Sequence, residues 1–166
     1  MKPLSHALVA ACLLALIPAA AQAQSAEPGI EGRVVGNAIF DTMDLAGRGA
    51  VHMGEIEDFR ATVFLGMDSN EDFRVTYEEF SMWDPGFSQV AAELGRSEAY
   101  ATASKIIFAF WDRDADGELD NAEMRLAMTS DFRRADLDDD GLLSREEFIQ
   151  GFPIMVAMRA AIRPDL

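Results

Sequence analysis

Between Asp112 and Glu147 the chain carries one twelve-residue pattern twice: D-R-D-A-D-G-E-L-D-N-A-E, twelve intervening residues, then D-L-D-D-D-G-L-L-S-R-E-E. Each copy places oxygen-bearing side chains at positions 1, 3, 5, 9 and 12 and Gly at position 6. Carboxylates packed this closely repel one another until a cation sits between them. An acid-rich surface would not repeat the register of its apolar neighbours as well, and this one does. The pattern therefore calls for a cation-binding loop between two apolar-faced elements, used twice.

Spacing and composition together match the EF-hand calcium loop. The match implies that Asp112, Asp114, Asp116, Asp120 and Glu123 are ligands in one copy, with the backbone carbonyl of Glu118. In the other it implies Asp136, Asp138, Asp140, Ser144 and Glu147, with the carbonyl of Leu142. A hard divalent ion takes six to eight oxygens at about 2.3–2.6 Å, which alternate residues of a tight loop supply. The bend at position 6 needs positive φ, which Gly117 and Gly141 adopt without a Cβ clash.

The same register recurs upstream. Asp68 opens D-S-N-E-D-F-R-V-T-Y-E-E and Asp44 opens D-L-A-G-R-G-A-V-H-M-G-E, so loops start at 44, 68, 112 and 136, 24 residues apart within each pair. Phe40, Phe64, Phe108 and Phe132 stand four residues before the loops. Val51, Val75, Leu119 and Leu143 fill position 8, and Ile56, Phe80, Met124 and Phe148 follow the Glu at position 12. The Phe and the residue after Glu fall on the inward faces of the flanking helices. Position 8 suits a short antiparallel strand joining neighbouring loops.

The chain thus resembles the calmodulin-like EF-hand superfamily over nearly the whole sequence that follows the first 23 residues. The resemblance implies an all-α fold of two EF-hand pairs, with short antiparallel β contacts between paired loops. Its tight inter-loop spacing is similar to that of exported bacterial EF-hand proteins, lanmodulin among them, which binds lanthanides. Lanmodulin loops carry Pro at position 2, where this chain has Leu45, Ser69, Arg113 and Leu137. Only residues 56–67 and 124–135 separate the loops of a pair, about 18 Å of helix. The expectation is two short helices in each spacer, with Thr62 or Ser130 capping the second.

The loops are not equal. The loop from Asp112 offers five carboxylates and that from Asp136 four with a hydroxyl. The second loop offers a weaker set: Asp68, Asn70, Asp72, Thr76, Glu79 and the carbonyl of Arg74. Its Phe73 at position 6 costs roughly 1–2 kcal/mol in the left-handed conformation. The first loop has Ala46 and Arg48 where acids belong, so a guanidinium already supplies the cation and the loop is expected to be structural. His52, at its position 9, is expected to be an exposed loop histidine.

The ends and connections read as follows. Residues 1–23 look like a secretory signal peptide, with Lys2, an apolar run from Ala7 to Ile17, and Ala21-Gln22-Ala23 before the cut. That implies a secreted or periplasmic protein after cleavage near Ala23. V-A-A-C ending at Cys12 resembles a lipobox, but the apolar run continues well past it, which disfavours lipid anchoring. Residues 24–33 are expected to form a flexible polar arm, 34–83 the N-terminal pair with its degenerate first loop, 84–96 a linker and 97–166 the C-terminal pair. Asp84-Pro85-Gly86 is a turn; a short helix is expected at 88–94, stopped by Gly95, and a longer one capped by Ser97 and ending at Trp111.

Cys12 is the one cysteine, so the mature chain has no thiol for a disulfide, a nucleophile or zinc. The leader holds a single Lys and no acid, leaving 13 basic against 29 acidic residues. That excess attracts cations and repels nucleic acid and anionic lipid. The acids are accounted for as ligands and no Ser/His or Cys/His set remains, so no enzyme is expected. The expected cofactor is Ca²⁺, with a lanthanide as the alternative. Met124, Met128, Met155 and Met158 follow the two strong loops, and methionine surfaces suit an adaptable partner contact. The function expected is an exported calcium sensor that takes an amphipathic helix of a partner protein. A calcium buffer or metal-stabilised structural protein, and a lanmodulin-like lanthanide binder, are the alternatives.

Overall fold

A computed structural model describes residues 30–163. The expected leader, Cys12 and most of the polar arm lie outside these residues. Residues 30–33, assigned to the arm, instead form the first turn of a helix, where Arg33 pairs with Glu146 at 2.6 Å and Glu31 with Arg163 at 3.2 Å.

The described chain is mostly helical, with two small antiparallel sheets of two strands each. In order it runs α1 Ile30–Met43, β1 Ala50–His52, α2 Met53–Met67, β2 Val75–Thr76, α3 Tyr77–Met82, α4 Phe87–Glu93, α5 Ser97–Trp111, β3 Glu118–Leu119, α6 Asn121–Ala135, β4 Leu142–Ser144, α7 Arg145–Gly151 and α8 Pro153–Ile162. Among the described residues no helix is long and apolar enough to cross a membrane.

Each spacer holds one helix, not two. Residues 56–67 and 124–135 lie inside α2 and α6, continuous helices of 15 residues. Thr62 and Ser130 do not cap. Their hydroxyls donate to carbonyls one turn back, Thr62 to Asp58 at 3.0 Å and Ser130 to Leu126 at 2.8 Å, and the helix passes through them. Neither stretch contains proline, so nothing interrupts the helical hydrogen bonds.

The strand pairing follows from that continuity. A 15-residue helix is about 22 Å long, so α2 holds the first and second loops at its opposite ends and α6 does the same for the third and fourth. Two loops joined by one such helix cannot meet. The pairing within each half that the sequence suggests is therefore replaced by a nested one. Strand β1 pairs with β4, Val51 opposite Leu143, and β2 pairs with β3, Val75 opposite Leu119. For both pairs to form, α2 and α6 must lie side by side and antiparallel. Arg60 donates to Asn121 at 2.9 Å, and Arg125 to Glu57 at 3.0 Å, across their contact.

One core spans both halves. Phe40, Phe64, Phe108 and Phe132 are all buried, as are the four position-8 residues and the four that follow position 12. Burial of side chains of this size contributes roughly 1.5–3 kcal/mol each. Phe80 meets Phe108 and Trp111 edge to face at 5.5 and 5.9 Å, joining α3 to α5. Phe40 and Phe148 meet at 5.7 Å, joining α1 to α7. The connection between halves contains α4, close to the expected 88–94. Gly95 follows its end at φ 67°, and the Asp84 carboxylate accepts the Ser88 amide at its start. Ser97 is the first residue of α5 and makes no cap hydrogen bond.

Candidate metal centre

All four loops share one backbone path. The residue at position 4 has positive φ in each (Gly47, Glu71, Ala115 and Asp139), as does the residue at position 6 (Gly49, Phe73, Gly117 and Gly141). The Asp at position 1 holds the bend by accepting backbone amides across it. Asp44 takes Arg48 and Gly49 at 2.8 and 2.7 Å, and Asp68 takes Asp72 and Phe73 at 3.1 and 2.9 Å. Asp112 takes Gly117 at 3.0 Å, and Asp136 takes Asp140 and Gly141 at 3.2 and 3.1 Å. The bend at position 6 was anticipated. The one at position 4 was not, although Gly47 at that place in the first loop carries the signal.

Positions 9 and 12 cap the helix at each exit. His52, Thr76, Asp120 and Ser144 are the N-caps of α2, α3, α6 and α7. Each accepts the amide of the Glu three residues on, and that Glu accepts the cap residue's own amide, satisfying two free donors reciprocally. His52 is exposed, as expected, yet it also caps α2: its Nδ1 accepts the amides of Gly54 and Glu55 at 3.0 and 3.2 Å.

In the third loop the carboxylates of Asp112, Asp114 and Asp116 lie with oxygens within 4.8 Å of one another. Asp112 Oδ1 is buried and has no hydrogen-bond partner, a desolvated acceptor that a cation would satisfy. Glu123 stretches across the loop, one oxygen on the Asp120 amide at 3.0 Å and the other on the Arg113 amide at 2.7 Å. Asp120 accepts the Glu123 amide at 2.8 Å, and Glu118 opens β3.

In the fourth loop Asp136, Asp138 and Glu147 converge to the same limit. Asp140 accepts the Leu142 amide at 2.8 Å, and Leu142 opens β4. The hydroxyl and amide of Ser144, then the Leu137 amide, hold the Glu147 carboxyl below the usual carboxylate range despite some desolvation. Both loops present an all-oxygen, carboxylate-rich donor set, which fits a hard cation.

The second loop keeps the frame and thins the donors. Asp68 is buried, Asn70 and Asp72 bond each other, and Thr76 pairs with Glu79. Glu79 is lowered to about 2 by the Thr76 amide, the hydroxyls of Ser69 and Thr76 and the Ser69 amide, against a desolvation penalty. Phe73 has φ 65° and is 67% exposed, so it bears left-handed strain while burying little. Phe73→Gly is expected to raise the stability of chelator-stripped protein by roughly 0.5–1 kcal/mol, the relief exceeding glycine's entropy cost. Urea unfolding with an unchanged slope checks this, and a lower midpoint would count against it.

The Arg74 side chain leaves its own loop and reaches Asp116 of the third at 3.1 Å. The loop pattern points only to the Arg74 carbonyl. The cross-loop reach depends on which loops pair, and no local signal marks it. In the first loop Arg48 Nη2 lies 2.5 Å from Glu55 Oε2, so the guanidinium occupies the acidic side of that loop as anticipated. Comparison with known protein families, characterised proteins and solved structures finds no match.

Proposed function

We propose that this protein is a calcium-binding protein of the EF-hand type, with the third and fourth loops as its ion sites. It acts as a sensor whose apolar interior opens when the ions bind. The convergence of Asp112, Asp114 and Asp116, and of Asp136, Asp138 and Glu147, on loops of one shared backbone carries the reading. A bound Ca²⁺ supplies positive charge between those carboxylates; the chain's part is to hold the oxygens close before the ion arrives.

The sensor assignment rests on what lies behind the loops. Met43, Met67, Met124, Met128, Met155 and Met158 line an apolar cavity of about 60 Å³. Methionine is unbranched and polarizable, so such a lining can repack around a guest at small cost. Helices α6 and α7 begin at the position-9 caps of the two proposed sites, so a shift of Glu123 or Glu147 toward an ion would tilt the helices that carry Met124 and Phe148.

The expected result is a severalfold rise in fluorescence of an apolar-surface dye when chelator-stripped protein receives Ca²⁺. Uptake of both ions with no change in dye signal would instead mark a buffer.

A further inference from the structure

The third loop has five carboxylates at the expected ligand positions against four in the fourth loop, yet it does not face a neutral partner. Arg74 lies at position 7 of the second loop, immediately before β2, and β2 pairs with β3. That pairing sets the Arg74 guanidinium over the facing loop, 3.1 Å from Asp116 Oδ2 and 4.0 Å from Glu118 Oε2. Asp116 belongs to the trio whose oxygens converge, and its other oxygen accepts the Glu118 amide at 3.0 Å. The fourth loop is different. Its partner is the first loop, where position 7 is Ala50, opposite Ser144 in the β1–β4 ladder.

We infer that Arg74 sets the charge selectivity of the third loop: its guanidinium, reaching in from the paired second loop, weakens cation binding there and penalises trivalent ions more than divalent ones. The inference rests on reading the third loop as an ion site. A guanidinium brings a fixed positive charge to the rim of the loop. A cation among Asp112, Asp114 and Asp116 must either displace that charge or sit close to it. The Coulomb cost scales with the charge of the arriving ion, so the logarithm of the penalty is half as large again for a trivalent ion. Both side chains are about two-fifths exposed, which limits the effect to that of a surface pair and makes it sensitive to salt. Ala50 imposes no such penalty on the fourth loop.

The test uses the full chain with Glu147→Gln to silence the fourth loop. Calcium is titrated by calorimetry, and terbium is followed by emission sensitised through Trp111, which precedes Asp112. Adding Arg74→Gln is expected to tighten Ca²⁺ about threefold and terbium about fivefold, with both gains shrinking as salt rises. Arg74→Lys, which keeps the charge, is expected to stay near the parent. No tightening, an equal change for both ions, or weaker binding would overturn the inference while leaving the ion site standing. If the Glu147→Gln protein takes up no ion, or if adding Glu123→Gln leaves uptake unchanged, the ion-site reading itself fails and the inference falls with it.

Discussion

Calorimetric titration of chelator-stripped protein with Ca²⁺ is expected to show two strong binding events, with Glu123→Gln removing one and Glu147→Gln the other. The substitution separates the observed capping role of each side chain from its proposed role as a ligand. As the third residue of α6 or α7, each Glu accepts the amide of its N-cap residue, Asp120 or Ser144. Gln accepts that hydrogen bond as well, so the helix start is kept. What is lost is the negative charge and one of the two oxygens a carboxylate offers a cation. Partners one step removed from a metal cost about 10–100-fold in affinity when mutated, so a direct ligand is expected to cost at least about 100-fold. Two undiminished events in the doubly substituted protein would sink the assignment of both loops.

The second large effect concerns how the molecule is put together. Fragments 24–96 and 97–166, prepared separately, are each expected to lack a cooperative thermal transition, and mixing them in equal amounts is expected to restore one. Every strand pair in the described residues joins one half to the other, β1 to β4 and β2 to β3. The α2–α6 contact does too, with its Arg60–Asn121 and Arg125–Glu57 bonds. Division strands Val51, Val75, Leu119 and Leu143, all fully buried, without the partners across from them. Circular dichroism melts of each fragment and of the mixture measure this. A fragment 97–166 that melts cooperatively alone and keeps two strong calcium events would show that this half suffices for itself and would overturn the expectation.

That result bears on how far the sequence could be read. The loop registers, the buried Phe four residues before each loop, the buried aliphatic at position 8 and the guanidinium in the first loop all follow from local spacing, and all are present in the structure. The connectivity between loops was not legible in the same way. Thr62 and Ser130 have the chemistry of helix caps, and a cap differs from a back-bonded hydroxyl only in where the neighbouring carbonyl lies. Reading them as caps shortens the helices and pairs the two loops within each half. Reading them as back-bonded lengthens the helices and forces the nested order. The Arg74–Asp116 bridge spans 42 residues and exists only under the second order, which is why no pattern along the chain announces it.

The unbroken course of α6 has a mechanical corollary. Its first turn is the far wall of the third loop and its last turn the near wall of the fourth, so the two are mounted on a single strut. A lever of this kind cannot pivot at one fulcrum and stay still at the other. Cooperativity between the two ions, where it is measured, would then travel along this rod, and a glycine pair in place of its half-buried Thr129 and Ser130 would uncouple the sites without touching either one.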